Sequence, residues 1–379
     1  MSTDNALRLA MEALEHEGDA RERWYAERLA DSPALLAEVR AIVSESERED
    51  DDGFLEPPAR GEVHDLLGEH FRRDVMGTRV GRYTVQGLLG SGGMGTVYLA
   101  RGTPPETEQE LPIALKVMKL DLVDRKSARR FQNEAVVLSK LDHPGIARVY
   151  EAGTQGGEDD ASEPILPWIA MEYVAGARTL VECASELPQA ERVSLFLRVC
   201  EAVQHGHEQG IVHCDLKPGN VLVDEAGHPK VIDFGLSRAT EFERMSTSLK
   251  SAVGQILGTF RYMSPEQLDP DPSRVDARAD VYALGVVLYE MLCEAPPWAL
   301  EKLPLSSALH RVLEAPPEPP EQHAPDLPTP LSDVLLRTLE KDPKRRPQTV
   351  EQLAHELRLA LEGRSPKRSF LSRLFGRRR

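Results

Sequence analysis

The spacing of apolar and polar positions changes character twice along the chain. Up to about residue 45 it is helical: Leu35, Leu36, Val39, Ile42 and Val43 recur on one face. Asp31-Ser32-Pro33 supplies a cap and a first-turn proline ahead of them. The acidic run Glu45–Asp52 reads as a solvated break, reinforced by Pro57-Pro58. From Tyr83 onward, short β-branched runs alternate with glycines, which predicts strands, and after about Gln189 helical periods take over. Strands first and helices later predict an α+β architecture in two lobes. Three stretches read as surface loops: 102–110, 153–164 and the proline-rich 315–330. The pattern divides the chain into a helical accessory segment (1–45), an acidic linker and lead-in (46–82), a main domain (83–361) and a basic tail (362–379).

Composition narrows the function classes. The chain has 379 residues, 41% hydrophobic and 28% charged, with a formal net charge of −16. So acidic a surface repels nucleic acid, and no nucleic-acid partner is expected. The longest apolar stretch, Val281–Leu292, is too short to span a bilayer and contains Glu290. Met1-Ser2-Thr3-Asp4 lacks the basic-then-apolar pattern of a secretory signal. Cys183, Cys200, Cys214 and Cys293 are far apart and form no CxxC pair, which disfavours a disulfide framework or zinc site and fits a reducing, cytoplasmic setting.

The candidate chemistry lies in the main domain. Gly90-Ser91-Gly92-Gly93-Met94-Gly95-Thr96-Val97 reads GxGxxGxV. In a dinucleotide-binding fold such glycines open into a helix, but here Thr96–Ala100 favours a strand. The alternatives are a plain glycine hairpin and a hairpin folded over phosphate oxygens; no Walker motif is present. Lys116 sits in the apolar run Leu111–Met118, where it could point to solvent or inward. A helix is predicted from about Ser127, with Phe131, Leu138 and Leu141 on one face and Glu134 on the same face. An inward acid needs a partner, and Lys116 is the candidate. Further on, His213-Cys214-Asp215-Leu216-Lys217-Pro218-Gly219-Asn220 precedes one short apolar run, and Lys230-Val231-Ile232 ends in Asp233-Phe234-Gly235. Taken singly, Asp215 could be a turn residue, Asn220 a cap and Asp233 an Asx turn. Together they suit oxygen ligation of magnesium by Asn220 and Asp233, proton acceptance by Asp215, and neutralisation of a moving phosphoryl group by Lys217.

With these pieces in order the chain resembles the bacterial eukaryotic-like (Hanks-type) serine/threonine protein kinases. The matching segments are GSGGMGTVYLA, IALKVM, the helix around Glu134, MEYV, HCDLKPGNVLV, DFG, GTFRYMSPEQ, DVYALGVVLYEML and KDPKRRP. The resemblance implies a bilobal kinase fold with an N-lobe at about 83–171, a hinge at 172–174 and a C-lobe at about 175–361. It implies transfer of the γ-phosphoryl group of ATP, with Mg2+ (or Mn2+), to Ser/Thr hydroxyls of protein substrates in bacterial signalling. Asp215 and Lys217 become the catalytic residues. The implied nucleotide contacts are Gly90, Ser91, Gly92, Gly93, Gly95, Val97, Ala114, Lys116, Glu134, Met171 as gatekeeper, Glu172 and Val174 of the hinge, Asn220, Leu222 and Asp233. The resemblance also implies a Glu266–Arg346 bridge, an Asp280 brace beneath the catalytic loop, a bond from Thr259 to Asp215 or Lys217, and packing roles for His213 and Phe234. The alternatives are an ATP-binding scaffold of pseudokinase type, which usually lacks one of Lys116, Glu134, Asp215, Asn220 and Asp233, and a small-molecule kinase, which GTFRYMSPEQ disfavours.

Relatives usually have arginine where this chain has Cys214. That arginine pairs with a phosphorylated activation loop, so its absence predicts activity without phosphorylation between Asp233 and Glu266; the alternative is that Arg238 or Arg244 substitutes. Cys214 reads as a packed thiol, or else as a redox-sensitive one. Outside the main domain, Arg364–Arg379 carries seven Lys or Arg and no acid, interleaved with Phe and Leu. It could lie on the inner membrane surface or fold back on the acidic N-terminal region. The N-terminal helices could dock a regulator.

Overall fold

The computed structural model describes residues 18–29, 76–91, 95–105, 107–118, 137–155, 166–234, 260–269, 271–300, 303 and 305–364, together with residues 9, 13, 32, 35, 36, 39, 40 and 135. Several expectations fall outside these residues: the Asp31–Pro33 cap, Gly92 and Gly93, Phe131 and Glu134, Arg238, Arg244, Thr259 and the basic tail.

A six-stranded antiparallel sheet is built from β1 (Arg79–Val80), β2 (Tyr83–Ser91), β3 (Gly95–Gly102), β4 (Leu111–Met118), β5 (Val149–Gln155) and β6 (Leu166–Glu172), in the order β1-β2-β3-β4-β6-β5. Alternation along β4 explains how it serves two cores. Ile113 and Leu115 join Tyr83, Val85, Ala100, Trp168 and Ala170 in a cluster on one face. Ala114 and Met118 face the other way, into the main core with Leu138 and Leu141, and Lys116 shares that side.

Two glycines in this lobe carry a packing duty. A side chain on Gly153 would meet the Trp168 indole at 2.4 Å, and one on Gly81 would meet it at 2.5 Å. This revises the loop expected from residue 153: β5 continues to Gln155, because Gly153 provides close approach to an aromatic ring and not a turn.

The C-terminal lobe is helical. It contains α2 (Leu180–Ala184), α3 (Gln189–Glu208), α4 (Ala277–Cys293), α5 (Leu305–Glu314), α6 (Thr329–Thr338) and α7 (Val350–Leu361), after a first helix α1 (Gly18–Arg28) near the N-terminus. A small sheet of β7 (Arg178–Thr179), β8 (Val221–Val223) and β9 (Pro229–Val231) lies on it. Helix α4 is mostly apolar and buried on every side from Ala279 to Cys293, its two acids Asp280 and Glu290 being hydrogen-bonded, so it forms the lobe's centre. Asp276 caps it by accepting from the Arg278 backbone N–H. The proline-rich stretch is shorter than expected: a 3-10 turn occupies Pro320–Gln322, and α6 begins at Thr329 behind Pro328. Near the N-terminus, Trp24, Tyr25 and Leu29 of the α1 region bury against Leu9, Ala13 and Val39 in a cluster of their own.

The lobes meet along backbone. Val231 N–H donates to Gly145 O at 2.8 Å and Ala147 N–H donates to Val231 O at 2.9 Å, so the segment leading into β5 is stitched to β9. Val231 is immediately followed by Ile232 and Asp233, which places Asp233 at the seam between the two halves.

Candidate active site

The loop from His213 to Asn220 is held from beneath. Asp280, fully buried on the first turn of α4, accepts from the backbone N–H of His213 (2.7 Å) and of Cys214 (2.8 Å). Its Oδ2 also lies 2.7 Å from His207 Nε2 at the end of α3. Gln267 Nε2 donates to Cys214 O at 2.7 Å. These bonds hold Cys214 at φ +65°, a left-handed conformation rare for a residue with a side chain. The Cys214 side chain turns into an apolar cluster with Val275, Ala279 and Val212.

Above this support the polar groups converge. Lys217 Nζ donates to both carboxylate oxygens of Asp215, at 3.0 and 2.8 Å. Asn220 Nδ2 donates to Asp215 O at 2.7 Å and to Asp215 Oδ2 at 2.9 Å. The Asn220 amide is thereby oriented with its carbonyl oxygen as the remaining acceptor. Pro218–Asn220 forms a 3-10 turn, and Ile232 N–H donates to Asn220 O at 2.9 Å, so the turn is tied to the segment that leads from β9 to Asp233. His213 Nε2 lies 3.0 Å from Ile232 O, and its ring packs on Phe234 with centroids 4.9 Å apart. His213 is a packing residue here.

Asp233 is reached from the other lobe. Lys116 Nζ, 8% exposed, lies 2.6 Å from Asp233 Oδ2. Lys116 therefore points inward. The expected Lys116–Glu134 pair falls outside the described residues. Asp233 has φ +56°, and its Oδ1 is buried without a hydrogen-bond partner among the described residues. A buried carboxylate oxygen unpartnered among the described residues and the free amide carbonyl of Asn220 are the donor types a hard divalent cation takes.

The remaining expected residues among those described lie on the six-stranded sheet, just after it and on the small sheet. Gly90 and Ser91 end β2, paired with Val97 and Thr96 of β3. A side chain at Gly90 would meet nothing within 4 Å, so the hairpin is open there, whereas one at Gly95 would strike Val117 O at 2.4 Å. Ala114 pairs across the sheet with both Leu99 and Met171, and Leu222 sits centrally in the small sheet. Met171 and Val174 are buried. Behind Met171 a cavity is bounded by Leu138, Leu141, Val149, Asp233 and Phe234. The Glu266–Arg346 bridge is present as a buried bidentate pair, at 2.6 and 2.8 Å.

Two arrangements had no local signal in the sequence. Lys230 Nζ lies 2.6 Å from Glu172 Oε1, and Glu172 Oε2 accepts from Arg148 N–H at 3.1 Å, so the carboxylate at the end of β6 is bound from both lobes. Tyr262 donates to both oxygens of Glu290 at 3.1 and 2.9 Å, with Arg261 3.5 Å away. Burial, then the Glu290 charge, pushes the Tyr262 hydroxyl well above its ordinary pKa.

Comparison with known proteins identifies the family. The protein kinase domain family matches residues 83–357. Serine/threonine-protein kinase PknB of Mycobacterium leprae is 37% identical over 289 residues, covering 76% of this chain and 44% of the relative. PknB of Mycobacterium tuberculosis is 36% identical over 289 residues, with the same coverage of 76% and 44%. A probable serine/threonine-protein kinase of Streptomyces coelicolor is 34% identical over 286 residues, covering 75% of this chain and 40% of the relative. The chain thus spans less than half the length of the curated relatives it matches. It belongs to the protein kinase family, among the bacterial Hanks-type serine/threonine kinases.

Proposed function

We propose that this chain transfers the γ-phosphoryl group of ATP to serine and threonine hydroxyls of proteins. The observation that carries the reading is the convergence of Lys116 from the sheet with Asp233 from the helical lobe at 2.6 Å, beside the Asp215–Lys217–Asn220 cluster. A phosphoryl-transfer site needs an anchored cation for phosphate, oxygen ligands for a metal and a carboxylate for the attacking hydroxyl, and these residues supply all three.

Asp215 Oδ2 accepts from both Lys217 and Asn220, whereas Oδ1 accepts from Lys217 alone among the described residues. Oδ1 is therefore the atom that would orient the substrate hydroxyl and take its proton. Lys217, one-third exposed, would lend its charge to the transferring phosphoryl oxygens. Lys116 would hold phosphate oxygens, with Gly90, Ser91, Gly92, Gly93 and Gly95 closing over them. Val97, Ala114, Met171, Glu172, Val174 and Leu222 would bound the adenine. Asn220 Oδ1 and Asp233 Oδ1 would hold magnesium, which would supply positive charge to offset that of the phosphates. The test is phosphorylation of a generic protein by labelled ATP, followed by phosphoamino-acid analysis; label on tyrosine alone, or none, rejects the reading.

A further inference from the structure

Gly206 lies in the last turn of α3, buried, and its backbone is ordinary helix with no positive φ. Nothing in the local conformation asks for glycine there, and alanine is the better helix former. The requirement comes from across the lobe. A Cβ built on Gly206 would stand 2.2 Å from Phe234 Cζ and 2.5 Å from Phe234 Cε1. The ring of Phe234, 4% exposed, thus rests on the bare helix backbone and is backed by His213 on another side.

The helix cannot give way to make room. On one side of Gly206, His205 stacks on His143 with centroids 5.1 Å apart; on the other, His207 is bonded to Asp280 at 2.7 Å. Gly206 O itself accepts from Gln209 N–H (3.1 Å) and Ile211 N–H (2.9 Å), which ends the helix and leads into the catalytic loop. With the helix anchored on both sides, an added methyl group displaces the ring. Phe234 directly follows Asp233, so any backbone shift at Phe234 that relieves the contact is passed to the carboxylate that meets Lys116 at 2.6 Å.

We propose that Gly206 is a positioning residue for the phosphoryl-transfer site: its missing side chain is the slot that holds Phe234 inward and thereby sets where Asp233 stands. The proposal rests on the kinase reading above but is separable from it. The test compares Gly206→Ala, Phe234→Leu and the double variant in the full chain. It measures labelled-phosphate transfer to a generic protein, affinity for magnesium–ADP, and the midpoint of thermal unfolding. Gly206→Ala should lower kcat and weaken magnesium–ADP binding, each by about tenfold or more, while the protein still unfolds cooperatively with only a modestly lowered midpoint. Phe234→Leu, with a shorter side chain, should rescue: the double variant should fall within about threefold of Phe234→Leu alone. Full activity in Gly206→Ala, or a loss that Phe234→Leu does not rescue, overturns the proposal. Should Gly206→Ala fail to fold, recovery of folded, active protein in the double variant supports the slot, and no recovery overturns it. If the wild type transfers no phosphate, the kinase reading falls, and the Gly206 inference is decided by magnesium–ADP affinity and its rescue.

Discussion

Lys116 and Asp233, 117 positions apart in the chain, meet at 2.6 Å across the seam between the sheet and the helical lobe. Each is held by a separate structure: Lys116 by the strand pairing of β4 with β3 and β6, and Asp233 by the backbone stitches around Val231. Replacing Lys116 with methionine keeps the stem's packing and removes the charge. The expected result is a loss of about a hundredfold or more in kcat/KM in a protein that still folds, with an unfolding midpoint lowered by the unpaired Asp233 carboxylate. Near-normal turnover in Lys116→Met measured beside its circular dichroism melt would show that the contact has no part in the chemistry.

The Glu266–Arg346 pair should matter for stability. Both side chains are 5% exposed or less. Arg346 also donates to the carbonyls of Arg278, Glu340 and Lys341 and stacks over Tyr282 at 4.8 Å. Removing one partner leaves the other as an uncompensated buried charge, so Arg346→Ala should destabilise the lobe by about 3–5 kcal/mol. Arg346→Lys should also be harmful, because an ammonium cannot reproduce the two-pronged contact. Denaturant titration checks both; a change under about 1 kcal/mol for Arg346→Ala is incompatible with this account.

Some of this architecture was legible in the sequence and some was not. Lys116 could be placed on a strand from its apolar neighbours, but alternation alone left its direction open; the burial of Ile113 and Leu115 on the opposite face decides it. The roles of Asp280 and Arg346 came from family resemblance, since a lone acid or base on a helix gives no sign of which distant backbone it will bind. Gly153 read as a loop because a glycine's effect depends on what approaches it, and Trp168 lies in another strand. The Lys230–Glu172 and Tyr262–Glu290 contacts escaped for the same reason. Long-range pairing is a property of topology, and spacing along the chain does not encode it locally.

Cys214 leads to a prediction about regulation. Its side chain packs with Val275 and Ala279 and offers no cation to a phosphorylated loop. We expect the combined Ser246→Ala, Thr247→Ala, Ser248→Ala and Ser251→Ala variant to retain most of its activity. A drop beyond about tenfold would instead mean that phosphorylation there acts through another cation.

His143 should contribute a pH dependence to folding. Burial lowers its pKa, the nearby His205 lowers it further, and Glu201 and Asp142 oppose the shift while Lys230 adds to it. A base with a depressed folded-state pKa binds fewer protons folded than unfolded, so stability declines as pH falls below the ordinary histidine range of about 6.5. His143→Phe should flatten the fall in unfolding midpoint between about pH 7 and 5. An unaltered slope in the variant would assign that dependence to other groups.

The most direct test is of Asp215. Asp215→Asn keeps the shape of the side chain and its place between Lys217 and Asn220 but cannot take a proton from a hydroxyl. With labelled ATP, magnesium and a generic protein substrate, the wild type should yield phosphoserine and phosphothreonine, and Asp215→Asn should fall by about a hundredfold or more while still binding magnesium–ADP. Equal transfer by the two proteins would contradict the account.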